Sequence, residues 1–109
     1  MTVAQICERL GLEALALPAP DREVTGAYAG DLLSWVMGRA EADCLWATIM
    51  NNVNVLAVAT LADVSVTVIC EDCEVTSEIT QAALEKGVNL VRTGLPIYEL
   101  CVAVSEVLR

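Results

Sequence analysis

The sequence predicts an α/β fold, a mostly parallel sheet of four to five strands with helices packed on it. Two observations carry this. From Glu23 onward the chain reads strand then helix, four times over, with short connections. That order is built by parallel strands joined through right-handed crossovers. The core must also be aliphatic, because 56% of the residues are hydrophobic while only 4% are aromatic, with no Phe. Runs such as Val64–Cys70, rich in Val, Thr and Ile, suit strands covered on both faces. The 109 residues form a single domain, 1–109, and a chain of this size buries roughly two-thirds of its unfolded surface.

Thr2-Val-Ala-Gln5 is a capping box that opens a helix. Val3, Ile6, Cys7 and Leu10 recur on one face of it, and Gly11 closes it. Ala14 to Leu17 reads as a short strand stopped by Pro18-Ala-Pro20-Asp21. A second short strand is expected over Glu23–Thr25, running into the small-residue loop Gly26-Ala27-Tyr28-Ala29-Gly30. Asp31 is placed as the N-cap of a helix to Arg39 that buries Leu32, Leu33, Val36 and Met37. Leu45–Ile49 is a strand, Met50-Asn51-Asn52 turns the chain, and an Asn caps a helix over Val53–Ala62. Val64–Cys70 is the clearest strand, and Glu71–Val75 is a polar loop. Thr76 or Ser77 caps a helix with Ile79, Ala82, Ala83 and Leu84 inside, closed by Gly87. Val88–Val91 is a strand. After Thr93-Gly94-Leu95-Pro96 a last helix sets Ile97, Leu100, Cys101, Val104, Val107 and Leu108 on one stripe.

Several function classes are disfavoured by composition. Six basic residues against fifteen acidic ones give a net charge of −9, which repels phosphate backbones and anionic lipid. Neither nucleic acid nor a membrane is expected as a partner. There is no His, which removes the usual general base and the commonest zinc ligand. No nucleophile has an evident base, so no enzyme activity and no cofactor are expected. Met1-Thr-Val-Ala-Gln5 shows neither the basic nor the apolar region of a signal peptide. The expected location is the cytoplasm, with Cys7, Cys44, Cys70, Cys73 and Cys101 as reduced thiols.

Ligands of such sheets bind at the carboxyl ends of the strands. Gly26, Ala27, Tyr28, Gly30 and Asp31 at one loop, Asn51, Asn52 and Asn54 at the next, and Thr93 at the last are therefore the candidate binding residues for a nucleotide or other small molecule. Small residues admit backbone N–H groups to a phosphate, and amides read a base or sugar edge without charge. The plainer reading of each is turn and cap chemistry. Cys70-Glu-Asp-Cys73 is a C-x-x-C, the weak candidate for a metal or dithiol redox role. Its acidic neighbours oppose a reactive thiolate, and Cys70 also reads as a small apolar core residue.

The helix Val53–Ala62 is the most informative segment. Only Asn54 and Thr60 are polar in it, whereas a helix on the outside of a layered domain has one wet face. A partner chain is expected against it, with Val53, Leu56, Ala57 and Thr60 at the interface. A two-fold homodimer is the commonest such assembly.

Asp21-Arg-Glu-Val-Thr-Gly-Ala-Tyr-Ala-Gly-Asp-Leu-Leu-Ser-Trp-Val-Met37, followed by Leu45-Trp-Ala-Thr-Ile-Met-Asn-Asn-Val-Asn-Val-Leu-Ala-Val-Ala59, resembles the small stand-alone proteins of the DRTGG-domain family. The resemblance runs from about residue 3 to 108. It implies a fold similar to the N-terminal domain of HPr kinase and a role in regulation and subunit association rather than catalysis. Stand-alone members look like accessory proteins of anaerobes, some encoded near iron hydrogenases, which implies a protein partner in an anaerobic redox complex. The string Asp-Arg-Thr-Gly-Gly itself is absent, and Met50-Asn51-Asn52-Val53-Asn54 stands at the corresponding loop. The expectation is a cytoplasmic, non-catalytic module that homodimerises and senses a small ligand. The alternatives are a metabolite sensor first of all, or a dithiol accessory using Cys70 and Cys73.

Overall fold

The computed structural model describes residues 1–109. The elements in chain order are α1 (Val3–Leu10), β1 (Glu13–Ala16), β2 (Gly26–Ala29), α2 (Leu33–Arg39), β3 (Cys44–Thr48), α3 (Asn54–Ala62), β4 (Val66–Ile69), α4 (Ser77–Lys86), β5 (Leu90–Arg92) and α5 (Ile97–Val107). The strands form one sheet in the order β1-β5-β4-β3-β2. The pairs β2–β3, β3–β4 and β4–β5 are parallel, and β1 runs antiparallel to β5. The sheet is thus mixed, which corrects the mostly parallel expectation. The reason is local: β1 follows α1 after a single αL glycine, Gly11, and enters the sheet at its β5 edge rather than through a crossover.

Two helical layers cover the sheet. Alternating residues of the central strands point to opposite faces. Cys44, Trp46, Ile69 and Leu90 join α2, α3 and α4 in one cluster. Leu45, Ala47, Val66, Val68 and Val91 join α1 and α5 in the other. Every residue of β3 and β4 is buried, as expected of strands covered on both sides. No helix is long and apolar enough to cross a membrane.

The capping box on α1 is present, with the Thr2 hydroxyl accepting from Gln5 N–H and the Gln5 side chain accepting from Thr2 N–H. Thr76 caps α4 through its hydroxyl alone, which accepts from Ile79 N–H. Other expectations are corrected. The strand placed at Glu23–Thr25 lies one step later. Gly26–Ala29, read as a loop, is the edge strand β2, in register with Cys44–Ala47. Glu23 makes only an isolated bridge to Thr2. Gly, Ala and Ala have little strand propensity, so pairing with β3 makes this strand. A Cβ at Gly30 would come 3.1 Å from the Tyr28 ring, which would have to shift to admit it. In α2 only Val36 is fully buried, while Leu32, Met37 and, on α4, Leu84 are exposed. A seven-residue helix has one inward face, and Leu33, Val36 and Ala40 fill it.

Thr67 on β4 is fully buried and its hydroxyl has no hydrogen-bond partner. An orphaned buried hydroxyl costs free energy that an isosteric methyl does not. Thr67→Val should therefore raise stability by about 1 kcal/mol, read as a higher urea midpoint at unchanged slope. A lower midpoint would show that the hydroxyl is satisfied.

Candidate functional site

The carboxyl ends of the parallel strands gather the loops where binding residues were sought. Asp31, expected to cap α2, does not; the N-cap is Leu32, with no side-chain hydrogen bond. The Asp31 carboxylate instead accepts from the Thr48 hydroxyl at 2.8 Å and from Ile49 N–H at 2.9 Å. Thr48 in turn accepts from Met50 N–H. These bonds brace the β2 and β3 ends together. Asn51 donates to the Glu74 carbonyl at 2.8 Å, tying the β3–α3 loop to the β4–α4 loop. Asn52 accepts from Asn54 N–H in an Asx turn at the start of α3. Thr93 accepts from Leu95 N–H. Gly30 gives its carbonyl to the Trp46 indole at 2.9 Å. The structure thus brings Asp31, Asn51, Asn52, Asn54 and Thr93 to one edge, where the side chains of Asp31, Asn51, Asn52 and Thr93 each make a hydrogen bond that holds the loops. Gly26, Ala27 and Tyr28 stand instead within β2.

The C-x-x-C segment is a tight turn. Glu71 and Asp72 both have φ near 61°, and Cys73 N–H reaches the Cys70 carbonyl at 3.4 Å, the signature of a primed turn with two left-handed residues. Neither is Gly, so the conformation is held from outside. Glu71 N–H donates to Leu95 and Asp72 N–H to Thr93. Arg92 clamps the carbonyls of Cys73 and Asp72 at 2.8 and 2.9 Å. It also pairs with the Asp72 carboxylate at 3.1 Å. The two thiols separate across the sheet. Cys70 is buried with α1 and α5, and Cys73 packs on the α2–α4 side. Burial pushes the Cys70 thiol up to about 12, the nearby Cys101 adding to it. A thiol held this way is a poor nucleophile, since reactive thiols need an electropositive, accessible setting.

The expected interface helix divides differently from its sequence. Val55, Leu56, Val58, Ala59 and Ala62 of α3 are buried against the sheet. Leu56 is fully buried in the monomer, which corrects its placement at an interface. Val53, Ala57, Thr60 and Leu61 look outward. Val53 is 54% and Leu61 71% exposed. Thr60 turns its hydroxyl onto the Leu56 carbonyl at 2.9 Å, so its outward side is largely apolar too. On the neighbouring α2, Leu32 is 60% and Trp35 52% exposed. The Arg39 guanidinium stacks 3.7 Å from the Trp35 ring.

A cleft of about 300 Å³ opens beside β2, lined by Thr25, Gly26, Ala27, Tyr28, Arg39, Glu41 and Cys44. Sequence reasoning missed Arg39 and Glu41. The one available signal was the i, i+4 spacing of Trp35 and Arg39 on a helix. At the opposite end of the strands, Arg22 braces the loops, donating to the carbonyls of Val64 and Asp63 and pairing with the Asp43 and Asp63 carboxylates. Asn89 there bonds Ala19 N–H, Ala19 C=O and Ser65 C=O. These are framework contacts. No protein-family model matches the chain, and no curated protein matches it.

Proposed function

We propose that this chain is a non-catalytic regulatory and interaction module, and that it forms a homodimer that covers the exposed apolar side chains of α2. One observation carries the reading. In a protein with net charge −9, no charged residue occurs between Asp43 and Asp63. The outer sides of α2 and α3 within and beside that stretch expose Leu32, Trp35, Met37, Val53 and Leu61. Monomeric proteins rarely leave large apolar side chains clustered on adjacent helices. Self-association is the commonest way to cover such a face. The resemblance to the DRTGG-domain family, with its role in subunit association, supports the same reading. Ligand sensing is secondary in it, because Asp31, Asn51, Asn52 and Thr93 at the carboxyl edge already bond the loops around them.

Sedimentation velocity at micromolar concentration tests it. The chain is expected to run as a dimer. Leu32→Asp and Trp35→Asp on the α2 side should each weaken association about tenfold or more, with unchanged far-UV circular dichroism. Both positions are exposed, so the fold survives the change. A monomer, or a dimer indifferent to both substitutions, would end this reading. Leu56→Asp is not a test of association, because it puts a charge into the monomer core.

A further inference from the structure

We infer that the seam of this association is the open edge of β2, joined antiparallel to the β2 of a second copy around a two-fold axis that passes its amino end near Gly26 and Ala27, with Arg39 of each copy against Glu41 of the other. The inference rests on the self-association reading and gives it a place. β2 ends the sheet on one side and β1 on the other. Sheet edges invite pairing, and proteins blunt them with charge, proline or bulges. The two edges here differ. β1 begins with Glu13, is bulged between Ala14 and Ala16, and runs into Pro18 and Pro20. β2 has none of these. Gly26-Ala-Tyr-Ala-Gly30 has no charge and no proline, and its register with β3 is unbroken.

Apolar side chains flank this edge on both faces of the sheet. Trp35 and Leu32 lie on the α2 side. On the other side α5, which packs against β2, exposes Tyr98 (79%) and Val102. The cleft beside the edge holds one charge of each sign, Arg39 and Glu41. Neither forms a salt bridge within the chain. An isologous contact places the same patch on both sides of the axis, so a patch with one cation and one anion satisfies itself twice. An unrelated peptide would need a matched pair of its own. A second copy brings that pair with it.

Charge exchange tests this by sedimentation velocity. Arg39→Glu alone and Glu41→Arg alone each set like charges across the axis and should weaken the dimer about tenfold or more. An equimolar mixture of the two variants should recover a heterodimer, and the double exchange should recover a homodimer. Ala27→Lys, which charges the edge itself, should also dissociate it. A dimer that ignores all of these overturns the seam and leaves self-association standing. Loss with either single variant but no recovery in the mixture overturns the Arg39–Glu41 contact and with it the proposed axis. A monomeric parent chain overturns both readings, and would leave the edge to an extended segment of another protein.

Discussion

Trp46→Ala should lower stability by about 5 kcal/mol, the largest effect expected of a single substitution in this fold. Trp46 is the only one of the four aromatic residues that is fully buried. It lies on β3, between Tyr28 of the edge strand β2 and Thr67 of β4. It belongs to the cluster that joins the sheet to Val36 of α2 and to Val55, Leu56 and Ala59 of α3. Truncation removes the ring from a core of small aliphatic side chains that cannot flow into the space, so the cavity persists and adds to the lost transfer energy. It also strips the Gly30 carbonyl of its indole donor. Domains of this size are stable by only about 5–15 kcal/mol, so the variant should be marginal. Thermal unfolding followed by circular dichroism should show a midpoint lowered by roughly 20 °C or more, or no cooperative transition. Trp46→Phe keeps the ring volume in part and loses the hydrogen bond, and should fall between the two. A drop of a few degrees in the alanine variant would mean that Trp46 does not hold α2 and α3 to the sheet.

Much of this architecture was legible because local signals agreed with the tertiary solution. α1 has a capping box, an i, i+3, i+4 apolar face and a closing glycine. α5 has one continuous stripe, of which Leu100 and Val104 are buried and Ile97, Cys101 and Val107 pack at its margins. Val66–Ile69 is β-branched throughout. Where local signals were silent or misleading, the reading failed for physical reasons. Gly26-Ala-Tyr-Ala29 has no strand propensity of its own and becomes β2 only because β3 lies beside it. In α3 nearly every side chain is apolar, so nothing in the sequence told buried Leu56 from exposed Leu61; only the direction of the helix over the sheet does. Leu32 and Met37 read as core residues, yet α2 is too short to bury more than one face. The left-handed pair Glu71 and Asp72 went unseen because such positions are marked by Gly or Asn, and here Arg92 and the β5–α5 loop impose the conformation instead. The antiparallel entry of β1 depends on where its edge pairs, which four residues do not encode. Among the candidate binding residues, the sequence identified which loops meet. It did not show that Asp31 and Asn51 bond across to neighbouring segments while Asn52 closes a turn within its own loop.

Alkaline pH should unfold this protein through its buried thiols. Burial, the main cause, raises the Cys44 thiol to about 11 and the Cys70 thiol to about 12. Both residues are almost wholly shielded from solvent. The reference value for a free thiol here is 9.0. Below it both the folded and the unfolded chain keep these protons, and stability does not depend on them. Above it the unfolded chain releases them while the folded chain still holds them, so the unfolded state binds fewer protons and stability falls as pH rises. Each thiol contributes a slope of about 1.4 kcal/mol per pH unit. The window for Cys44 runs from about 9 to about 11 and for Cys70 from about 9 to about 12. Burial raises Cys7 and Cys101 in the same direction, and these add to the trend. Urea unfolding at a series of pH values should show a flat response below the window and a steep fall within it. The variant Cys44→Ala/Cys70→Ala should lose part of its stability at neutral pH but show the shallower fall, by about 3 kcal/mol per pH unit where both thiols titrate. Every other side chain is common to both proteins, so the difference in slope isolates the two thiols. Equal slopes would mean that Cys44 and Cys70 reach water in the native state. That would make Cys70 an accessible thiol and favour the dithiol reading of the C-x-x-C turn.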